Sequence, residues 1–478
     1  MVKRDRNTIA LSEELKIRDA IAAVHSYTDK MKLAGHLPRA YVMTFGCQGN
    51  EADSERLAGI AEAMGYELSP DYEDADLVLV NTCAVREHAE KKALSSIGQL
   101  KHVKAKNAGV IIGVGGCMTS QQHRIDKIKE SYPYVDFCFT TTELLFVPIY
   151  VSDRISGGGR RFPDAKEALG HTDFSETLPI RRESTTHAWV NIMYGCNNFC
   201  TYCIVPYVRG RERSRLPSDI YAEVEGLAGA GYHDITLLGQ NVNSYGHDLT
   251  AGVNFAALLA SLSEIKGDFR LRFMTSHPKD ATSELITVMS EHEKIAHHFH
   301  LPIQSGSDRV LAEMNRRYTR DGYMKIIDEL RRKMPDIAIT SDVMVGFPGE
   351  TEADFEMTLD AVRRAEFDMI YAFIYSPRGG TPAAKREDQV PDSVKSERFS
   401  RLIECQNEIS KAHNEREVGK TLRVLMDDDL SRAKTGRTDG NRQIHVEGNA
   451  SAGKFVNVLV TRADTYNLFG RVIDGVND

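Results

Sequence analysis

The sequence predicts an α/β protein in three parts: an N-terminal doubly wound α/β domain, a central partial (β/α)6 barrel and a small all-β barrel at the C-terminus. Three observations carry this. Short apolar runs alternate with helical segments across residues 38–150, the pattern of a parallel sheet covered on both faces. The same alternation returns as six strand–helix units within 185–417, which suits a (β/α) barrel open on one side. From about residue 418 the helical period gives way to short strands separated by Gly and Asp turns. A chain of 478 residues is too long for one hydrophobic core, so such a division is expected.

Residues 1–37 are polar, and 11–33 have loose helical periodicity, which fits either an extension capping a domain or a partly disordered arm. In the first domain, 41–45, 76–80 and 110–114 are buried-strand candidates, and 53–64, 87–103 and 120–130 read as helices. The stretch 151–184 carries Gly157, Gly158 and Gly159 with scattered Pro and Glu, and reads as a linker. The barrel strands are predicted at 188–194, 234–238, 269–274, 297–301, 337–345 and 367–375, with helices such as 218–228 and 351–364 between them. A charged helix over 394–416 closes this region, and the tail offers strands at 421–426, 443–446 and 455–460.

The composition is 41% hydrophobic and 27% charged, with a net charge of -8, so any nucleic-acid contact must come from local basic patches. No run of about 18 apolar residues predicts a membrane span, and the charged opening residues lack the apolar core of a signal peptide. These features predict a cytoplasmic protein, in which disulfides are improbable. Its eight cysteines are then core fillers, metal ligands or nucleophiles.

Cys196, Cys200 and Cys203 form a Cys-x3-Cys-x2-Cys triplet directly after the first barrel strand. Three thiolates in one loop suit three irons of a 4Fe–4S cluster, leaving the fourth iron open, whereas an electron carrier uses four cysteines. Zinc needs a fourth Cys or His at regular spacing, and His187 and His233 are too far away in sequence. Cys47, Cys83 and Cys117 each follow one of the three strands predicted in the first domain. The carboxyl ends of parallel strands are where ligands bind, so these thiols converge on one sheet edge. Gly46, Gly115 and Gly116 beside them suggest room for a bulky inorganic ligand. Cys138 and Cys405 have no partners by spacing and read as structural. Arg209, Arg211, Arg213 and Arg215 form a basic strip just past the triplet, suited to holding RNA phosphates or to bracing the loop.

The triplet resembles the signature of the radical S-adenosylmethionine superfamily. Further segments resemble its methylthiotransferase branch: the strip from Cys203 to Arg215, His300-Leu301-Pro302-Ile303-Gln304-Ser305-Gly306-Ser307, Met314-Asn315-Arg316-Arg317-Tyr318-Thr319, and Val345-Gly346-Phe347-Pro348-Gly349-Glu350-Thr351. Tyr375-Ser376-Pro377-Arg378-Gly379-Gly380-Thr381-Pro382 belongs with them, although Gly379 stands where Pro is expected. Within the branch, Gly239-Gln240-Asn241-Val242-Asn243-Ser244-Tyr245 is similar to the MiaB family of tRNA enzymes.

The resemblance spans residue 38 onward and implies methylthiolation at C2 of an isopentenyl-adenosine in the tRNA anticodon loop, at position 37 of the tRNA. It implies two 4Fe–4S clusters, the second on Cys47, Cys83 and Cys117, with S-adenosylmethionine at the barrel mouth. Tyr202, Gly239, Gln240, Ser276, Gln304, Asp342 and Gly346 are the candidates to cradle that cofactor, and no protein side chain is expected as acid, base or nucleophile. The tail resembles a TRAM domain, a small RNA-binding barrel, and an electron donor such as a flavodoxin or ferredoxin is implied. Alternatives are the same chemistry on threonylcarbamoyl-adenosine or on a ribosomal-protein aspartate, and, in a different class, a non-catalytic iron–sulfur RNA-binding redox sensor. The 240–245 segment and the arginine strip favour isopentenyl-adenosine, and an open iron at each cluster is more than a sensor needs.

Overall fold

The computed structural model describes residues 11–85, 87–168, 178–250, 252–431 and 433–473. Residues 1–10 of the predicted extension, 169–177 of the predicted linker, and Arg432 in the tail lie outside them. The chain divides into two compact units: residues up to 183 with 194–197 and 204–219, and residues 184–193 with 198–203 and 220 onward. Among the described residues no helix is long and apolar enough to cross a membrane.

The first unit opens with α1 (Leu11–Leu33) and builds a five-stranded sheet from β1 (Arg39–Thr44), β2 (Glu67–Leu68), β3 (Leu77–Thr82), β4 (Ile111–Gly116) and β5 (Phe137–Cys138). The strands run parallel in the order β2-β1-β3-β4-β5. The longer helices after α1 are α2 (Gln48–Ala63), α3 (Glu87–Lys106), α4 (Gln122–Ser131) and α5 (Val147–Ile155). β3 is buried along its whole length, which is why its first four residues read as an unbroken apolar run. Its Leu77 and Leu79 join Leu57, Ile60 and Val147 on one face, while Val78 and Val80 join Ile97, Leu100 and Ile128 on the other. That two-sided core is the doubly wound arrangement. The extension caps this unit: Ile17, Ala20 and Val24 of α1 are buried at helical spacing, and the Thr28 hydroxyl donates to the Met64 carbonyl at 3.0 Å. α5 runs across the predicted domain–linker boundary at 150, because Tyr150 and Val151 belong to the core.

The second unit contains six strands in parallel: β6 (His187–Asn191), β7 (Asp234–Leu238), β8 (Arg270–Phe273), β9 (His298–His300), β10 (Ala338–Val345) and β11 (Met369–Ile374). Regular ladders link β6 to β8 and β9 to β11. The two halves meet where the Leu271 N–H donates to the Lys294 carbonyl and the Ala296 N–H to the Leu271 carbonyl, at 2.7 and 2.9 Å. No ladder joins β6 to β11 among the described residues, so the barrel is partial. Its helices begin on side-chain caps. Asn254, Thr282, Ser307, Thr319 and Thr351 each accept an N–H of the helix that follows.

The tail is a closed five-stranded barrel of β12 (Thr421–Met426), β13 (Thr435–Arg437), β14 (Gln443–Glu447), β15 (Phe455–Ala463) and β16 (Leu468–Val472), around Val424, Ile444, Val458 and Leu468. Its 438–441 turn is seated at the amino end of the partial barrel's strands. There the buried Arg272 donates to Asp234 at 2.9 Å and to the carbonyls of Asp439 and Thr438 at 2.7 and 2.8 Å. Arg270 pairs with Asp439 at 2.8 Å, and the other oxygen of that carboxylate accepts the His297 N–H at 2.8 Å. The tail therefore satisfies buried donors of the barrel and is part of its floor.

Candidate functional site

Cys47, Cys83 and Cys117 all leave the carboxyl edge of the first sheet. Cys83 and Cys117 follow β3 and β4 directly and are buried, while Cys47 is the N-cap of α2 and half-buried. A helix N-terminus favours a thiolate there. A buried amide web ties the strand ends together. Asn50 donates to Asn81 and to the Thr82 carbonyl at 3.1 and 3.0 Å, and Asn81 returns a bond to the Asn50 carbonyl at 2.9 Å. Burial pushes the Cys117 thiol up to about 12, opposed by the Arg209 guanidinium and reinforced by Cys83 and Cys47, so the three sulfurs feel one another. Three cysteines on one sheet edge with a cation beside them are a donor set suited to a multi-iron cluster rather than to one ion.

The glycines have a different role from the expected one. A Cβ at Gly115 would fall 2.0 Å from the Phe139 ring; at Gly46 it would meet Asn50 and Cys83, and at Gly116 it would meet Asn81 and Thr82. They let the strand ends close on one another rather than leave an opening. A Cβ at Gly49, by contrast, would sit in ordinary contact with the Cys47 sulfur at 3.7 Å and an Arg209 nitrogen at 3.8 Å, so these two groups approach the same point.

The triplet loop is held differently. Before the second cysteine, the Cys196 N–H donates to the Gly210 carbonyl at 3.1 Å, and the Glu212 carboxylate accepts the Asn197 N–H at 3.0 Å. On either side of Cys200 the 311–316 segment takes over: Asn315 donates its side-chain amide to the carbonyls of Asn198 and Phe199 at 3.1 and 3.0 Å, and the Thr201 N–H donates to the Met314 carbonyl at 3.0 Å. Phe199 and Asn315 both take a left-handed backbone to make this clamp. Arg316, which lies in the 314–319 segment, is buried. It donates to the Cys200 sulfur at 3.7 Å, the Tyr202 hydroxyl at 3.5 Å and the Pro302 carbonyl at 2.7 Å. Among the described residues no carboxylate pairs with it. Nor do three His, Cys, Asp or Glu side chains among them close on a single ion, as a zinc cage would require.

At the carboxyl ends of β7 and β8, four buried residues hold polar atoms with no partner: Asn241 Oδ1, both amide atoms of Asn243, Ser276 Oγ and His277 Nε2. Orphaned buried groups are costly, so this edge suits a polar ligand. Burial, aided by Arg316, lowers His277 to about 2, and its Nδ1 accepts the Lys279 N–H, which leaves the ring neutral with Nε2 as a donor. Gly239 lies against Met193, where a Cβ would be 2.6 Å away. Gln304 has a left-handed backbone and exchanges hydrogen bonds with Asp342 and Met344, and Asp342 also faces His300 at 3.5 Å. Gln240 is half-buried. Tyr202 packs beside Phe347 and Tyr375. Gly346 has φ +74° and its vacant side-chain space is filled by Lys395, so its glycine answers a packing demand.

The arginine strip is not one solvated face. Arg209 and Arg215 are buried, Arg213 is half-buried and Arg211 is exposed. Arg209 donates to Asp53 at 2.8 Å, which removes it from the surface expected to meet phosphates. In the tail, Arg442 pairs with Asp368 and Arg423 with Asp268, so these two basic residues bind the protein itself.

A model described as the radical SAM superfamily matches residues 190–362. One described as uncharacterized protein family UPF0004 matches 39–140, and a TRAM domain model matches 415–473. A protein of Thermoanaerobacter sp. (strain X514) named tRNA-2-methylthio-N(6)-dimethylallyladenosine synthase is 47% identical over 98% of this chain and 99% of its own. A protein of the same name from Carboxydothermus hydrogenoformans is 46% identical over 91% of this chain and 99% of its own. Among solved structures, the radical S-adenosylmethionine methyltransferase TsrM from Kitasatospora setae, with cobalamin and a [4Fe-4S] cluster bound, shares the fold. Its TM-score is 0.54 at 14% identity, covering 73% of this chain and 77% of that one.

Proposed function

From membership of the tRNA-2-methylthio-N(6)-dimethylallyladenosine synthase family, to which this chain belongs, we propose how its own residues divide the work. The chain is a radical S-adenosylmethionine tRNA methylthiotransferase that converts N6-isopentenyladenosine at position 37 of tRNA to its 2-methylthio derivative. It uses S-adenosylmethionine and iron–sulfur chemistry. The C2–H of adenine is not acidic enough for a protein base, and when bound these cofactors supply the electron, the hydrogen-abstracting radical and the methylated sulfur.

In this reading Cys196, Cys200 and Cys203 hold one 4Fe–4S cluster and Cys47, Cys83 and Cys117 hold a second. The repetition supports it: two sets of three cysteines, each with a buried guanidinium beside a sulfur. Arg316, cationic and without a carboxylate of its own, faces the carboxylate of S-adenosylmethionine. Tyr202, Gly239, Gln240, Ser276, Gln304 and Asp342 line the rest of that cofactor's site. Asn243 and the neutral His277 direct their free donors and acceptors at bound ligand, and enclosing the site excludes water from the reactive species. Arg211 and Arg213 meet tRNA phosphates, and so does the tail face where His445 stacks on Phe469 and Arg462 covers that ring. A flavodoxin or ferredoxin supplies electrons, and the setting is cytoplasmic.

The test is anaerobic reconstitution with iron and sulfide, then reaction with S-adenosylmethionine, reductant and isopentenylated tRNA. Two clusters per chain, 5′-deoxyadenosine release and 2-methylthio-isopentenyladenosine by nucleoside mass analysis are expected. Four irons per chain at full activity would remove the second cluster from the reading.

A further inference from the structure

The Arg209–Asp53 pair has no place in phosphate binding, and its surroundings suggest another role. Both side chains are buried, at 6% and 8% exposure, and joined at 2.8 Å. Asp53 sits on α2, the helix that Cys47 caps, and beside Gly49 an Arg209 nitrogen and the Cys47 sulfur flank the same point. Arg209 ends a segment that packs on the cysteine set, since Ile204 and Val208 share a small core with Cys117 and Ala84. The guanidinium is close enough to Cys117 to act on its thiol electrostatically.

A buried ion pair rarely stabilises a fold more than apolar residues of the same volume, so stability alone gives little reason for it here. A rigid five-donor fork, by contrast, holds a carboxylate with one edge and directs N–H bonds at a sulfur with another. Hydrogen bonds to sulfurs and net local charge are what set the potential of an iron–sulfur centre, and in a water-poor site they are weakly screened.

We propose that Arg209 is a positioning residue whose charge, trimmed by Asp53, sets the electron affinity of the Cys47–Cys83–Cys117 centre. This rests on the two-cluster reading above. The pair makes a signed prediction. Arg209→Gln leaves Asp53 as an unbalanced negative charge, so the centre becomes harder to reduce. Asp53→Asn frees the positive charge, so it becomes easier to reduce. Arg209→Lys keeps the charge without the fork and falls between Arg209→Gln and the parent.

The experiment is a redox titration of the reconstituted full chain carrying Cys196→Ala, Cys200→Ala and Cys203→Ala, so that iron reports one set of cysteines. Each charge-removing change should move the one-electron reduction equilibrium about tenfold, about 59 mV, in opposite directions. If both shift the same way, or neither shifts while iron content is normal, the proposal is overturned. If Arg209→Gln does not assemble, the upward shift in Asp53→Asn decides alone. A parent variant that binds no iron would instead refute the two-cluster reading, a distinct result.

Discussion

The two cysteine sets are built in opposite ways. Cys47, Cys83 and Cys117 come from three strand ends far apart in sequence and are fixed by one sheet edge and its amide web. Cys196, Cys200 and Cys203 come from one short loop with no regular structure of its own, fixed by Asn315, Met314 and Glu212 from elsewhere. Their arginines differ as well. Arg209 is neutralised by Asp53, whereas Arg316 keeps its full charge next to Cys200. On the proposed reading the contrast is a division of labour: the uncompensated cation is available to an anionic cofactor, and the compensated one acts on the sulfurs.

Removing a cysteine from each set breaks the comparison most directly. Cys200→Ala should abolish 5′-deoxyadenosine release and methylthio transfer together, with iron kept by the first set. Wild-type cleavage in that variant would show that the triplet does not make the radical. Cys83→Ala should still release 5′-deoxyadenosine in the presence of reductant while forming no methylthio product. If product formation persists, the strand-end cysteines are core residues.

What could be read from the sequence follows from the same contrast. The strand ends bearing Cys83 and Cys117 were legible because β3 and β4 are buried apolar runs whose termination marks the sheet edge. β2 and β5 were not, since two residues carry no period. In the tail, β13 and β16 contain Gly436 and Gly470, which read as turn residues. They are strand residues because the neighbouring carbonyls of Leu425 and Leu459 would lie within 2.6 Å of any Cβ there. The arginine strip misled in another way. Alternating arginines look like a solvated face, and Arg209 is buried only because a carboxylate 156 residues earlier reaches it. Arg316 lay within a matched segment, but its contact with Cys200, 116 residues away, has no local signature.

The charge contrast is sharpened by Arg316→Leu. Losing charged hydrogen bonds at a buried site costs about 1.5–3 kcal/mol, so S-adenosylmethionine cleavage should fall roughly tenfold to a hundredfold. Arg316→Lys should recover part of this. Steady-state 5′-deoxyadenosine assays at varied S-adenosylmethionine would show a raised KM, and an unchanged KM would place the cofactor carboxylate elsewhere.

The smallest effect tests whether the two units differ in self-sufficiency. The first unit has its own two-sided core, but the barrel leans on the tail, where Asp439 pairs with Arg270 and accepts the His297 N–H. Asp439→Ala removes both bonds but leaves the main-chain acceptors of Arg272 in place. Because Asp439 is 42% exposed, solvent screens the ion pair, and the loss should be about 1 kcal/mol, near the low end for a charged hydrogen bond. Thermal unfolding followed at Trp189, the chain's single tryptophan and a β6 residue, should report a midpoint lower by a few degrees. S-adenosylmethionine cleavage at 25 °C should be unchanged, since the turn lies at the opposite end of the strands from the triplet. A midpoint equal to that of the parent would mean that the tail rests on the barrel without supporting it.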